Sequence, residues 1–221
     1  MNFEAILDIL FPPECLGCGK GLINGTLCVP CKNTIGGPPA IAIKNMDNND
    51  GRGECYFLGA AGRYQNHVLK TLIHALKFGG IRGAATPLAE ILAHHAETVA
   101  LPLQTFTVMP IPLSKMRMRE RGFNQSALIA ERFARLRQLP FEKNALVRTQ
   151  HRKPQSRTES LAERRENIRG CFAVQGVSSG VRKNIVLVDD VSTSGSTFLE
   201  AARALTTAGA EIVLALAVAK A

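Results

Sequence analysis

The sequence contains no tryptophan and only two tyrosines, and its aromatic share is 5%. Proteins that bind single strands without sequence preference stack the bases on aromatic side chains, so this composition provides poorly for such binding. Phe78, Phe123 and Phe172 are the candidate stacking residues, and each is equally compatible with a place in the core. Any affinity for single-stranded DNA is therefore expected to depend on the phosphate backbone and on salt.

Long apolar runs are also missing, since none reaches the roughly 18 residues that a membrane helix needs. The first 14 residues carry Glu4 and Asp8 but no basic residue, which is unlike a signal peptide. A chain of 221 residues can bury one core, or one core and a small module. We therefore expect a soluble, cytoplasmic protein without membrane insertion, and the sequence gives no indication of its oligomeric state.

Positive charge is concentrated in one segment of the chain. Between Pro110 and Gly170, 15 Lys and Arg stand against six Glu, and this excess accounts for the whole net charge of +9. Such a concentration indicates an anionic partner, either a polyphosphate or a nucleic acid backbone. The alternative is a solvated helical face on which Arg recurs at helical spacing.

Four cysteines near the amino terminus form the most specific pattern in the chain. They are Cys15, Cys18, Cys28 and Cys31, which make two C-x-x-C pairs separated by nine residues. Two such pairs can place four thiolates at the corners of a tetrahedron, and a Zn²⁺ ion held in this way is structural. Two disulfides, an iron–sulfur cluster and a redox C-x-x-C remain the alternatives. Cys55 and Cys171 belong to no motif, and we expect them to be buried thiols.

The residues after the fourth cysteine are rich in Gly, Pro, Asn and Asp, a composition that predicts a linker or loop. We therefore divide the chain into an amino-terminal zinc-binding module and linker at residues 1–50 and a main domain at residues 51–221. In the main domain the apolar runs "TFTVMPIPL", "NIVLVDD" and "EIVLALAVAK" alternate with segments of helical periodicity. Apolar strands alternating with helices predict an α/β fold with a parallel sheet.

Two acidic residues end one of these apolar runs, and a hydroxyl-rich turn follows them. The backbone N–H groups and hydroxyls of residues 193–197 are predicted to converge on an anion at the start of a helix. Asp189 and Asp190 only accept hydrogen bonds, which suits paired sugar hydroxyls or a hydrated Mg²⁺ ion. Together the two features describe a site for a phosphorylated ribose. The alternative is a buried strand followed by a capped helix whose dipole the acids complement.

No G-x-x-x-x-G-K-[ST] motif occurs in the chain, which argues against a nucleoside triphosphatase.

The run "TFTVMPIPL" ends in two prolines, which stop strand pairing and stiffen the loop that follows. Lys115, Arg117, Arg119 and Arg121 are therefore predicted in a constrained loop. Because ligands of open sheets bind at the carboxyl ends of the strands, this basic loop and the acid pair are expected at the same edge.

The segment "VLVDDVSTSGST" resembles the phosphoribosyl pyrophosphate (PRPP) signature of type I phosphoribosyltransferases, with Ser194 in place of the usual second Thr. Over nearly its whole length the chain resembles the ComF family of competence proteins, which are related to amidophosphoribosyltransferases. This likeness rests on "LIHALKFGG", "PIPLSKMRMRERGFNQS", "KPQSRTESLAERRENIRGCF" and the four-cysteine, zinc-ribbon-like motif.

The resemblance implies a type I phosphoribosyltransferase fold with a small amino-terminal zinc module, and PRPP with Mg²⁺ as ligands. It makes Asp189 and Asp190 the catalytic residues, facing the ribose hydroxyls. The PRPP-binding residues that it implies are Asp189, Asp190, Val191, Ser192, Thr193, Ser194, Gly195, Ser196 and Thr197. The pyrophosphate-loop residues that it implies are Pro112, Leu113, Ser114, Lys115, Arg117 and Arg121.

Two functions stay open at this point. The first is an enzyme that transfers phosphoribose from PRPP to a nitrogenous acceptor, in natural transformation and DNA uptake or in nucleotide metabolism. The second is a non-catalytic competence factor that PRPP regulates and that binds single-stranded DNA, with a competence helicase as a candidate partner. No segment can be assigned as the hood that reads a nucleobase, so the sequence does not identify an acceptor.

Overall fold

The computed structural model describes residues 13–35, 40–46, 54–149, 170–175 and 183–221. Most of the family-like segment "KPQSRTESLAERRENIRGCF" lies outside these ranges. In chain order the elements are α1 (Val29–Asn33), β1 (Ala40–Met46), β2 (Glu54–Arg63), α2 (His67–Lys77), a 3-10 turn (Arg82–Ala84), α3 (Ala85–Thr98), β3 (Thr107–Pro110), α4 (Lys115–Arg121), α5 (Gln125–Arg137), β4 (Leu146–Arg148), β5 (Phe172–Val174), β6 (Asn184–Ser192), α6 (Ser196–Thr207) and β7 (Ile212–Lys220).

The main sheet has the strand order β1-β2-β7-β6-β3. Strands β2, β7, β6 and β3 are parallel, whereas β1 pairs with β2 in the antiparallel sense at one edge. A separate antiparallel pair is formed by β4 and β5. The predicted α/β class is confirmed, and the order of the parallel strands agrees with the phosphoribosyltransferase-type fold. Since the strands are parallel, their carboxyl ends meet at one edge of the sheet, which we call the carboxyl edge.

The central strands β6 and β7 are buried on both faces, as their continuous apolar runs predict. Successive side chains of a strand point to opposite faces, and β6 accordingly divides its residues between two cores. Val186 and Val188 pack with helices α2, α3 and α5, while Ile185 and Leu187 pack with α6. The two cores hold β6 rigidly between them, and the residues at its carboxyl end are fixed in consequence.

Helix α2 carries the apolar face that its sequence periodicity predicts, and it positions one end of the site. Asn66 caps the helix by accepting a hydrogen bond from the Leu69 N–H at 3.0 Å. Its buried residues are Val68, Leu69, Leu72, Ile73 and Leu76. Tyr64 lies before the helix begins.

The strand β1 lies where the Gly, Pro, Asn and Asp content predicted a linker or loop, and that expectation was wrong for Ala40–Met46. The run "AIAI" within this segment is apolar and unbroken by turn residues. It pairs with β2 in a register that runs from Ala40 opposite Ala60 to Met46 opposite Glu54. The paired residues of β2 lie 8 to 20 positions further along the chain, so local composition did not reveal the pairing.

Residues 115–121 form the helix α4 and not the predicted constrained loop. Lys, Met, Arg and Glu all favour helix, and this preference outweighs the stiffening effect of the two prolines. The Ser114 hydroxyl accepts a hydrogen bond from the Arg117 N–H at 3.3 Å, and Gly122 ends the helix at a φ of 73°. The irregular segment after β3 is therefore confined to Ile111–Ser114, and Lys115, Arg117 and Arg121 project from a helix.

The cysteine-rich segment packs directly against the main domain. Cys15 and Cys31 belong to the same core as Val68 of α2. A Cβ atom on Gly17 would lie 2.9 Å from the Cys31 Sγ atom and 3.1 Å from the Val68 side chain, so this position has room only for glycine.

Across the described ranges, no helix combines the length and the apolar character that crossing a membrane requires.

Candidate functional site

The acid pair lies at the carboxyl edge of the sheet, near the end of the segment in which β6 pairs with β7. Asp189 lies opposite Ala217, and the strand continues through Val191 and Ser192. Asp189 is half-buried, whereas Asp190 is only 3% exposed. The sequence placed the two acids at the end of the strand, and the structure shows that they are still held within it.

The Asp189 carboxylate is held by two hydrogen bonds to one of its oxygens. The Ser126 hydroxyl, at the start of α5, donates to Oδ1 at 2.6 Å, and the Asp190 backbone N–H donates to the same atom at 2.9 Å. Burial raises the pKa of the Asp189 carboxyl, and the charge of Asp190 raises it further. A ligand that brings donors or a cation to this carboxylate would favour its ionised form.

The Asp190 carboxylate is paired with a lysine that the sequence analysis did not identify. The Lys77 Nζ atom, at the last residue of α2, lies 2.8 Å from Asp190 Oδ1, and both side chains are largely shielded from solvent. Asp190 Oδ2 is buried and has no hydrogen-bond partner among the described residues. One oxygen of Asp190 is thus neutralised by the protein, while the other is left for a donor from a ligand.

The hydroxyl-rich turn enters α6 as predicted, with the helix beginning at Ser196. Gly195 occupies the position before the helix at a φ of 81°, which favours glycine. The Ser194 hydroxyl donates to the Ser196 hydroxyl at 2.9 Å and accepts from the Ser196 N–H at 3.3 Å. A lysine also reaches this turn, because the Lys220 ammonium donates to the Thr193 carbonyl oxygen.

The other predicted PRPP-binding residues extend from the acid pair to the turn. Val191 is half-buried, and Ser192 is buried with no hydrogen-bond partner for its hydroxyl among the described residues. Thr193 is exposed and Thr197 is half-buried at the first turn of α6. The nine predicted residues therefore form one continuous path from strand to helix, and their binding role remains a prediction.

The segment after β3 lies beside the acid pair. The Ile111 N–H donates to the Val188 carbonyl at 2.9 Å, directly before Asp189. The Asn124 side chain donates to the Ile111 carbonyl at 3.0 Å and fixes the segment from the other side. Pro112, Leu113 and Ser114 are half-buried in this position. The structure therefore brings the predicted pyrophosphate segment and the acid pair to the same edge.

The predicted cations of α4 differ in their relation to the acids. Lys115 and Arg117 are exposed, whereas Arg121 is half-buried. Burial lowers the pKa of the Arg121 guanidinium, and the carboxylates of Asp190 and Asp189 act in the opposite sense. The Arg121 Nη1 atom is buried and has no hydrogen-bond partner among the described residues. The two carboxylates of the acid pair therefore act on Arg121.

The four amino-terminal cysteines come together as their spacing predicts, with all four sulfur atoms within 4.8 Å of one another. Zinc–sulfur bonds of about 2.3 Å in a tetrahedron place thiolates about 3.8 Å apart. The Cys15–Cys28 and Cys18–Cys28 sulfur distances are 3.5 and 3.8 Å, so the cluster fits such an ion. The described cysteines are not bridged, which does not support the two-disulfide alternative.

The environment of Cys15 favours the thiolate that a metal requires. Burial acts to raise the pKa of the thiol, but backbone N–H groups at Cys28, Cys18 and Gly17 outweigh it and lower the pKa to about 6. The Cys28 and Gly17 N–H groups lie 3.3 and 3.4 Å from the sulfur. Cys171 is buried, as expected, and the Cys55 side chain lies outside the described residues.

Three residues of the site were missed at the level of sequence, namely Lys77, Asn124 and Ser126. All of them lie in segments that carry the family likeness, "LIHALKFGG" and "PIPLSKMRMRERGFNQS". The only local signal for Lys77 is a charge at the end of an apolar helical face, just before Gly79 and Gly80. Nothing in the spacing of the chain connects any of the three to the acid pair.

Removing the ammonium of Lys77 tests the buried ion pair. We expect Lys77→Met to lower the free energy of unfolding by about 3 kcal/mol, because the Asp190 carboxylate would remain buried without its cation. Adding Asp190→Asn to this variant should restore part of the loss. Urea denaturation measures both effects.

Lys70→Met provides the matched control, since Lys70 is exposed on the same helix. A surface change of this kind is expected to alter stability by about 0.5 kcal/mol or less. Equal stability of the Lys77→Met and Lys70→Met proteins would contradict the pairing.

No protein-family model matches the chain, but several named proteins are similar to it. DNA utilization protein YhgH of Escherichia coli O157:H7 is 34% identical over 149 residues, which cover 66% of this chain and 64% of the relative. Competence protein ComFC of Bacillus subtilis is 33% identical over 144 residues, or 63% of this chain and 54% of the relative. Competence protein F of Haemophilus influenzae is 34% identical over 110 residues, which cover 47% of this chain and 45% of the relative.

The chain thus spans less than two thirds of the length of these relatives. The likeness recurs in proteins of several bacterial genera, and it accompanies the four-cysteine cluster and the parallel sheet described above. The chain belongs to the ComF family, which includes the ComFC and YhgH proteins.

Proposed function

We propose that this protein binds PRPP at the carboxyl edge of its sheet and acts in the handling of DNA. The observation that carries the first part is the acid pair, which is followed without a break by a hydroxyl-rich turn at the start of α6. The second part rests on the names of the relatives, which are a DNA utilization protein and two competence proteins.

The turn of residues 193–197 suits the 5-phosphate of the ligand. Gly195 adopts a positive φ, and α6, which is 12 residues long, begins immediately after it. The N–H groups of the first helical turn and the aligned peptide dipoles favour an anion at this end. The hydroxyls of Ser194 and Ser196, already in contact with each other, would donate to phosphate oxygens.

The acid pair suits the ribose hydroxyls. Asp190 Oδ2 is a buried acceptor without a partner in the part of the chain that the structure describes, and a group of this kind lowers the stability of the protein unless a donor reaches it. A ribose hydroxyl is such a donor, and vicinal hydroxyls can engage adjacent carboxylates. The Ser126 hydroxyl and Lys77 ammonium would hold the two carboxylates in place while the sugar binds.

Mg²⁺ would supply charge stabilisation at the pyrophosphate oxygens of the ligand. The residues present fit an ion held mainly by phosphate oxygens, because Lys77 already occupies one oxygen of Asp190. Lys115, Arg117 and Arg121 would hold the negative charge that grows on pyrophosphate when its bond to ribose breaks. If the chain is a transferase, pyrophosphate leaves with the bonding electrons and the ribose carbon bonds to an acceptor nitrogen.

Replacing both acids tests the binding of PRPP. Calorimetry with PRPP and Mg²⁺ should show binding to the wild-type chain and a loss of at least about tenfold in Asp189→Asn/Asp190→Asn, because the amides remove two charged acceptors. Glu131→Gln, an exposed acid on α5, is the control and should bind normally. Unchanged affinity in the double variant would refute the assignment.

Pyrophosphate release across a panel of nucleobases then separates an enzyme from a regulated binder. Release with one base identifies a transferase and its acceptor. Binding without release from any base supports the regulator instead.

A second candidate function is a non-catalytic factor that binds single-stranded DNA under the control of PRPP, with a competence helicase as partner. The observation that favours it is α4, which buries none of its seven residues and carries Lys115, Arg117, Arg119 and Arg121. A basic, exposed helix of this kind suits a phosphate backbone. The relatives' names agree with such a role.

We expect Arg117→Ala/Arg119→Ala to weaken the binding of single-stranded oligonucleotides and to reduce the salt dependence. Each lost phosphate contact should lower the slope of log K against log salt by about 0.7. Filter binding at several salt concentrations measures the slope, and Arg135→Ala, an exposed arginine on α5, serves as the control. Absent or salt-insensitive binding by the wild-type chain would eliminate this candidate.

The four-cysteine cluster is proposed to bind structural Zn²⁺. Metal analysis of the purified protein should give about one zinc per chain, and Cys18→Ser or Cys28→Ser should lose it and lower the melting temperature. Cys171→Ser, which changes a buried thiol outside the cluster, should keep the metal. Iron in the cluster, or no metal at all, would contradict the proposal.

A further inference from the structure

An exposed phenylalanine directly follows the lysine that holds Asp190. Phe78 is 72% exposed, although phenylalanine is usually buried. It lies at the end of α2, where its N–H donates to the His74 carbonyl at 2.8 Å. Gly80 then turns the chain at a φ of 67°, and the Ile81 N–H donates to the Ala75 carbonyl at 3.1 Å. These bonds fix the backbone that presents the ring.

The orientation of this ring is set by a cation and a histidine. The Arg121 guanidinium carbon lies 5.4 Å from the Phe78 ring centroid, within the range of a cation–π contact. The His74 ring meets the Phe78 ring edge-on at a centroid distance of 5.3 Å. His74 is held in turn by the Tyr64 hydroxyl at 2.8 Å from its Nε2 atom. Phe78 is therefore a supported ring that still exposes most of its surface.

The ring borders the acid pair through two separate connections. Lys77, its neighbour in sequence, contacts Asp190 at 2.8 Å. Arg121, its neighbour in space, is under the influence of both Asp190 and Asp189. Arg121 also keeps one buried nitrogen, Nη1, without a hydrogen-bond partner among the described residues. An exposed aromatic ring thus lies at the carboxyl edge beside a guanidinium and a carboxylate that each keep one buried atom without a partner among the described residues.

We propose that Phe78 and Arg121 form a stacking platform for the flat heteroaromatic base of a nucleotide whose ribose 5-phosphate occupies the acid pair and the turn at 193–197. This inference rests on the proposed function and adds the class of group that lies beyond the ribose. The ring supplies a stacking surface, and the half-buried Arg121 guanidinium beside it supplies N–H donors for a carbonyl oxygen or ring nitrogen of the base.

A base is favoured over an apolar ligand because of the charge beside the ring. A cation with an unpartnered N–H is costly to cover with hydrocarbon, whereas the edge of a base provides hydrogen-bond acceptors. Stacking of one base on an aromatic side chain contributes about 1–3 kcal/mol, which corresponds to about 5-fold to 150-fold in affinity. One supported ring is sufficient for a single base, even in a chain with few aromatics.

The test compares ribose 5-phosphate with the 5′-monophosphates of adenosine, guanosine, cytidine and uridine, using the full chain. We expect at least one monophosphate to bind the wild-type protein about 5-fold or more tightly than ribose 5-phosphate does. Phe78→Ala should abolish this gain while leaving the affinity for ribose 5-phosphate within about 2-fold, and Phe78→Tyr should keep the gain. Leu136→Ala, which truncates an exposed apolar side chain on α5, should behave as the wild type.

The outcomes separate this inference from the function on which it rests. A wild-type chain that binds neither ribose 5-phosphate nor PRPP would overturn both. Binding of ribose 5-phosphate without a gain from any of the four bases would overturn the platform alone. A gain that survives in Phe78→Ala, or equal weakening of both ligands, would overturn it too. Because Phe78 is exposed, its truncation is not expected to unfold the protein, and far-UV circular dichroism checks this.

Discussion

Two adjacent carboxylates in a buried parallel strand are stable only if their charges are met, and the arrangement of the site follows from this constraint. Asp190 is neutralised by the ammonium of Lys77. This lysine is the last residue of α2, the helix whose apolar face is buried. Asp189 is held by the Ser126 hydroxyl from the start of α5. The acids therefore tie two helices to the central strand, and both helices lie on the same side of the sheet.

The protein satisfies these charges only in part, and the proposed ligand would satisfy part of the remainder. Asp190 retains an acceptor without a partner, and Arg121 retains a donor without one, among the described residues. Buried polar atoms of this kind reduce stability and are uncommon unless something binds them. A phosphorylated sugar brings hydroxyl donors to the acids and an anion to the start of α6, and it would meet both the acceptor and the helix end.

The sequence was most informative where the features of the site are contiguous in the chain. The acid pair and its turn fall within nine residues of one another, and the cysteines recur at a spacing that metal geometry imposes. The buried runs of β6 and β7 likewise identified a parallel sheet without any knowledge of the contacts. Lys77 and Ser126 could not be found in this way, because they lie 113 and 63 residues before the acids that they contact, at positions 190 and 189. Only the folded helices bring them there.

Two predictions of irregular structure were wrong for the same reason. In each segment the residues that most strongly favour a loop did not determine the structure. Glycine and proline around Ala40–Met46 suggested a linker, but a partner strand converts the short apolar run into an edge of the sheet. The prolines before Lys115 suggested a loop, but the helix-forming residues that follow, with Ser114 and Gly122 as end signals, produce a helix. In both cases the segment is more regular than its composition indicated.

The most direct measurement of the central claim is a crystal structure of the chain with PRPP and Mg²⁺. The account predicts the 5-phosphate at residues 193–197 and the ribose hydroxyls on Asp189 and Asp190, with one of them bonded to Asp190 Oδ2. Density for the ligand elsewhere on the molecule, with the carboxylates still contacted only by protein groups, would contradict it.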